Sequence, residues 1–124
     1  MTETKNVLIK LESAIELMNR GDELFESGEL EQAEVYYKKG SDCSPIVGFY
    51  YCYRVGWIRE IEGKYEDALE LFNKGISLKK DYAYLHYHKG IMLKQHFGML
   101  KDAEACFRRC IELENGKIEK GICS

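Results

Sequence analysis

The stretch FYYCYRVGWIREIEGKYEDALELFNKGISL, residues 49–78, opens with five aromatics in nine positions: Phe49, Tyr50, Tyr51, Tyr53 and Trp57. Taken alone, those nine residues read as a β-strand, because aromatic and β-branched side chains favour a pleated, half-buried surface. The second half reads differently. Tyr65, Ala68, Leu69, Phe72 and Ile76 recur at three- and four-residue steps along one stripe, as the face of a helix requires. The segments on either side decide between the two readings.

Gly56 is one of three glycines, Gly21, Gly56 and Gly90, spaced by 35 and 34 residues. Gly28, Gly63 and Gly98 recur at 35-residue intervals, each just ahead of a bulky residue (Leu30, Tyr65, Leu100). Ala33, Ala68 and Ala103 follow, each with an aromatic four residues on: Tyr37, Phe72 and Phe107. Gly40, Gly75 and Cys110 form another small-residue column. Several independent columns on one period mark a repeat protein.

Each unit divides at its middle glycine into two helix-length segments, SAIELMNRGDELFES and ELEQAEVYYKKGS in the first. The turns GEL, GKY and GML carry the glycine that suits a left-handed, helix-ending conformation. Such helix pairs do not bury their apolar faces alone and must stack on one another. The strand reading therefore fails, and Phe49–Trp57 begins a first helix. In the third unit thirteen residues separate Gly90 from Ala103, against twelve in the other two, so the turn in KQHFGML is expected to be longer or its helix kinked.

These residues resemble the tetratricopeptide repeat family, whose pattern of large residue, leucine-glycine, alanine with an aromatic four on, and closing proline spans 34 residues. The resemblance divides the chain into an extension of the first helix (1–13), units at 14–47, 49–82 and 83–115, and a short tail (116–124). It implies an all-α, right-handed α-solenoid of three antiparallel helix pairs. The closing proline is kept only as Pro45, with Lys80 and Asn115 in the other two places. The leucine of the leucine-glycine is kept in kind only by Val55, with Arg20 and Lys89 elsewhere.

On a helix, Tyr50, Tyr53, Trp57 and Ile61 fall within about 80° of one another, away from Cys52, Val55 and Gly56. The same face holds Tyr84, Tyr87 and Ile91 in the third unit, and Ile15, Met18 and Asp22 in the first. In the family that this chain resembles, first helices line a concave surface that binds peptides or helices of other proteins. The resemblance thus implies a partner-binding groove of Met18, Tyr50, Tyr53, Trp57, Tyr84, Tyr87 and Ile91. Arg54 and His88 stand on its flank and could still meet an acidic side chain. Tyr and Trp suit such a surface, giving large contact area with a polar handle. The alternative is that these rings pack on one another as core.

Co-chaperones of the family grip a C-terminal carboxylate with Lys and Asn on the first helix, Asn on the third, and Lys and Arg on the fifth. The matching residues here are Met18, Asp22, Arg54, Tyr84 and His88. None is the clamp residue, and Asp22 opposes a carboxylate. A heat-shock co-chaperone role is not expected.

Composition narrows the remaining classes. The chain has 124 residues and a net charge of −3, but residues 1–34 alone carry −6, leaving +3 on the rest. No long basic stripe exists to displace counterions, so nucleic acid is not an expected partner. No apolar run approaches the ~20 residues of a membrane span, and the N-terminus does not read as a secretory signal. Five cysteines without a C-x-x-C pair suit reduced thiols, so a cytoplasmic location is expected, with Cys123 the most exposed thiol.

Cys106 and Cys110 share a helix face, yet four ligands do not assemble around them, and no metal or cofactor is expected. No nucleophile–base pair or phosphate loop is recognisable, so no catalytic residue is assigned and no enzyme is expected. GKIEKGICS, from residue 116, is too short and glycine-broken to continue as a helix. KNVLIKLESAIEL extends the first helix by one or two turns and leaves Val7, Leu8, Ile9 and Leu11 apolar without a partner. Apolar ends raise a second reading, a structural protein that self-associates.

Overall fold

The computed structural model of the chain describes residues 2–119. Six helices follow one another: α1 (Thr2–Glu26), α2 (Leu30–Cys43), α3 (Gly48–Ile61), α4 (Tyr65–Leu78), α5 (Ala83–His96) and α6 (Leu100–Glu119). One turn of 3₁₀ helix, Pro45–Val47, joins α2 to α3. No strand occurs among the described residues. Consecutive helices form the tight pairs α1–α2, α3–α4 and α5–α6, and the pairs stack through α2 on α3 and α4 on α5. This is the all-α solenoid that the repeat columns imply. Phe49–Trp57 lies wholly inside α3.

The glycine columns do two different jobs. At the turns, Gly28, Gly63 and Gly98 have φ of 85°, 80° and 65°, a region that other residues adopt at a cost. The first two turns close alike. The glycine N–H donates to the carbonyl three residues back, and the next N–H to the carbonyl five back (Glu29 to Leu24 at 2.9 Å, Lys64 to Arg59 at 2.8 Å). In the third turn the Met99 N–H reaches back six residues, to Leu93 at 2.9 Å. The additional residue of the third unit is taken up there, so this turn is the longer one.

Inside the pairs, glycine makes room for a ring. A Cβ on Gly21 would lie 2.6 Å from the Tyr37 ring, and one on Gly56 or Gly90 would lie 2.7 Å from Phe72 or Phe107. Ala33, Ala68, Tyr37 and Phe72 are fully buried, each ring adding roughly 2–3 kcal/mol of apolar burial. Between pairs, Gly75 admits Leu85 of α5, whose Cδ2 would stand 2.9 Å from an added Cβ. Arg59 of α3 forks onto Glu34 of α2, with Nη1 to Oε1 at 2.8 Å and Nη2 to Oε2 at 2.6 Å, fixing the first junction.

The two ends of the stack differ. α1 has 25 residues and α2 has 14. The far end of α2 meets α1 near Lys10, where the Cys43 Sγ donates to its carbonyl at 3.3 Å. Residues ahead of Lys10 therefore overhang, with Val7, Leu8 and Ile9 52%, 53% and 50% exposed. At the other end the expectation of a non-helical tail from residue 116 is corrected. α6 continues through Gly116 to Glu119. Residues 120–124, with Cys123, lie outside the described residues.

Candidate functional site

The first helices α1, α3 and α5 present their side chains to one another across the pair boundaries. Tyr53 is the hub of the contact. Its ring centroid lies 5.9 Å from Tyr50 and Trp57, 5.5 Å from Tyr82, 6.0 Å from Tyr84 and 5.2 Å from His88. Surrounded in this way it is only 5% exposed. Trp57, half-buried, packs on Phe25 of α1 at 5.0 Å and on His88 of α5 at 4.5 Å.

A polar network runs through the rings. Asp22 accepts the Tyr37 hydroxyl on Oδ1 and the Tyr50 hydroxyl on Oδ2, both at 2.6 Å. Arg54 Nε lies 3.2 Å from Asp22 Oδ1 and donates to the Tyr50 hydroxyl oxygen at 3.0 Å. The guanidinium carbon stands 5.2–5.5 Å from the ring centroids of Phe25, Tyr50, Tyr53 and Trp57. Burial, then the bond to Asp22, pushes the Tyr37 and Tyr50 hydroxyls well above the ordinary phenol range, so both remain donors. Burial pushes Tyr82 up to about 12. Burial, with the Arg54 charge behind it, pushes His88 down to about 4, so its ring is neutral near pH 7.

Two hollows open on this face. The larger, about 610 Å³, is lined by Phe25, Glu26, Tyr53, Arg54, Trp57, Tyr82 and Tyr84. The smaller, about 300 Å³, is lined by Ile15, Met18, Asn19, Asp22, Val47, Phe49 and Tyr50. The Asp22–Tyr50–Arg54 network stands between them. A third hollow, of about 470 Å³, lies between α4, α5 and α6, where His86 Nε2 is 2.7 Å from the Lys80 carbonyl. It gathers no comparable cluster of rings. Among the described residues no group of metal-ligating side chains converges; Cys106 is buried and Cys110 half-buried.

The residues expected to form a groove do not all lie together. Tyr53, Arg54, Trp57 and Tyr84 come together in the larger cleft, with Tyr84 56% exposed at its edge. Tyr87, 46% exposed, and the half-buried Ile91 lie farther along α5 and line neither hollow of this face. Met18, Tyr53 and His88 are 4%, 5% and 9% exposed, with Met18 at the wall of the smaller hollow and Tyr53 at that of the larger. Met18 fills the space left by Gly40, where an added Cβ would lie 3.1 Å from its Cε. His88 and Tyr53 bury each other, the hydroxyl 3.4 Å from Nε2. Tyr50 is half-buried with its hydroxyl engaged on Asp22. On the expected cationic flank, Arg54 is paired with Asp22 and His88 is neutral.

Phe25, Glu26 and Tyr82 escaped the sequence reading. Phe25 and Glu26 continue the α1 face three and four residues beyond Asp22, so helical spacing could have found them. Tyr82 precedes α5, where helical spacing does not reach.

The family model for the tetratricopeptide repeat matches residues 49–82. Similar solved structures include the second TPR of Spaghetti (RPAP3) bound to the HSP90 peptide SRMEEVD, at 21% identity and a TM-score of 0.77, covering 90% of this chain and 95% of that one. The first TPR of Spaghetti, bound to the same peptide, gives 22% and 0.74, covering 90% and 96%. The Yersinia enterocolitica type III secretion translocator chaperone SycD gives 20% and 0.71, covering 82% and 75%. No match was found among curated proteins. At these identities the likeness is one of fold. The family model matches the second helix pair, and the pairs on either side carry the same glycine and alanine–aromatic columns.

Proposed function

We propose that the chain is a non-enzymatic protein-interaction module, holding a peptide or helix of a partner protein against the face of its first helices. One observation carries this reading. Tyr84 leaves a large ring 56% exposed at the edge of an open cleft whose other rings are already packed and oriented. A rigid aromatic lining of this kind suits an anchor side chain, because little entropy is lost when it is filled.

The Spaghetti structures hold an acidic HSP90 peptide. Their mode of binding is not carried over. At the positions matching the clamp this chain has buried Met18, the carboxylate of Asp22, a paired Arg54, Tyr84 and a neutral His88. No helix among the described residues is long and apolar enough to cross a membrane. The test is a photo-crosslinking amino acid placed at Tyr84, and at Lys74 on α4 as control. Partner captured at 84 and not at 74, with Trp57 shielded from acrylamide in the complex, supports the reading. Capture at 74 alone overturns it.

A second reading rests on Val7, Leu8 and Ile9, exposed on the α1 overhang. Pairing of this overhang with that of another copy would make the chain a self-associating structural protein. Light scattering should then show a dimer or larger species that Leu8→Glu converts to monomer. A monomer at all micromolar concentrations removes this reading.

A further inference from the structure

The one arginine in the larger cleft is neutralised before any ligand arrives. Arg54 Nε is 3.2 Å from Asp22, and the guanidinium is boxed by four rings that set its orientation. Donor capacity remains without net charge. Only Nε–H is engaged; among the described residues Nη1 and Nη2 have no acceptor, and neither is buried. Of the other charges nearby, one is a carboxylate screened by solvent and one is already paired. Glu26 stands exposed at the rim, and Lys79, beyond Phe49 and Tyr82, is paired with Asp81 at 3.4 Å.

Three kinds of group could meet those donors. A carboxylate would gain Arg54 but approach Asp22, so attraction and repulsion largely cancel while its desolvation cost remains. A cation would compete with Arg54 itself for the same ring faces. A neutral oxygen incurs neither penalty and accepts the free N–H groups.

We infer that the cleft recognises an uncharged segment of the partner. An aromatic or large aliphatic side chain lodges between Trp57 and Tyr84, and an adjacent backbone carbonyl or Asn/Gln amide oxygen accepts from the Arg54 Nη groups. Asp22 is then the specificity-determining residue. It turns an arginine that would select carboxylates into a donor for neutral acceptors. This inference rests on the proposed function and names the class of its partner.

The experiment selects random dodecapeptides displayed on phage against the full chain and against Asp22→Asn, which keeps an oxygen for one of the two tyrosine hydroxyls and removes the charge. For the wild type, selected peptides should carry an aromatic or aliphatic anchor flanked by uncharged residues. Binding of the best of them, read by Trp57 emission, should change less than about twofold between about 50 and about 500 mM NaCl, since no net charge is neutralised. Asp22→Asn should select Asp- and Glu-containing peptides and bind one at least about tenfold more tightly than the wild type does, an effect that salt weakens. If that variant does not fold, Arg54→Met supplies the second arm and should lose at least about tenfold for the neutral peptide.

Acidic or basic peptides selected by the wild type overturn the inference. So does the same neutral set selected by Asp22→Asn, or unchanged affinity in Arg54→Met. In each of these cases the proposed groove stands. If no peptide of any class perturbs Trp57, the groove falls and the inference with it.

Discussion

Arg54 of α3 lies 3.2 Å from Asp22 of α1, across the boundary between the first two helix pairs. Their side chains are 17% and 24% exposed, so the pair is more sheltered than an ordinary surface bridge. Asp22→Ala leaves the Arg54 charge half-buried and two tyrosine hydroxyls without their acceptor. It should cost about 1–3 kcal/mol in urea unfolding. Combined with Arg54→Ala in a double-mutant cycle, it should give a coupling of about 1 kcal/mol or more. A coupling below about 0.3 kcal/mol would mean that solvent screens the pair and that it does not join the first two pairs.

His88 gives the fold an acid sensitivity. Its pKa falls from 6.5 to about 4 on folding, through burial first and the Arg54 charge second. Between those values the unfolded chain binds the proton and the folded chain does not, so stability rises with pH across this window. Acidifying from pH 7 to 4 should therefore remove up to about 3 kcal/mol through this residue alone. His88→Phe keeps a ring among Tyr53, Trp57 and Phe72 and has nothing to titrate. Its unfolding free energy should fall less over the same range. An identical pH slope in both proteins would assign the sensitivity to the carboxylates.

Two glycines on helices should respond to alanine in opposite directions. At Gly56 the new Cβ would stand 2.7 Å from Cε1 of Phe72, a fully buried ring with no room to retreat. Overpacking should outweigh the gain in helix propensity and cost about 1–3 kcal/mol. At Gly116 nothing among the described residues lies within 4 Å of the added atom, and the residue is helical. Gly116→Ala should stabilise by up to about 1 kcal/mol. Thermal melts of the two variants check this, and destabilisation at both positions would remove the distinction between packing and open glycines.

The repeat columns were legible because a helix crossing constrains residue size directly, so Gly56 above Phe72 recurs as Gly90 above Phe107. The turn of the third unit was legible by counting. The sidedness of the aromatics was only half legible. Angular position around α3 separates Tyr53 from Val55, but Tyr82 and Tyr84 decide whether Tyr53 meets water, and they arrive from α5 and the residue ahead of it. Met18 is the same case, covered at Gly40, 22 residues away. Gly116 differs for another reason: low propensity weakens a helix without necessarily ending it, and α6 runs through this glycine.

The opening aromatics finally separate into core and surface, and truncation should divide them. Tyr53 touches rings of α3 and α5 and is 5% exposed, so Tyr53→Ala leaves a cavity at the junction of the second and third pairs. It should cost about 3–5 kcal/mol, enough to unfold much of a domain of this size. Tyr84 is stacked on Tyr53 at 27° but is 56% exposed, and Tyr84→Ala should cost below about 1 kcal/mol. If the cleft takes a partner, the same change should weaken binding by about 2 kcal/mol or more, close to thirtyfold in affinity. Circular dichroism reads the first quantity, and titration of a selected peptide against Trp57 emission reads the second. Full binding by a folded Tyr84→Ala protein would move the interaction site off this cleft, and a folded Tyr53→Ala protein would show that the rings pack too loosely to preorganise it.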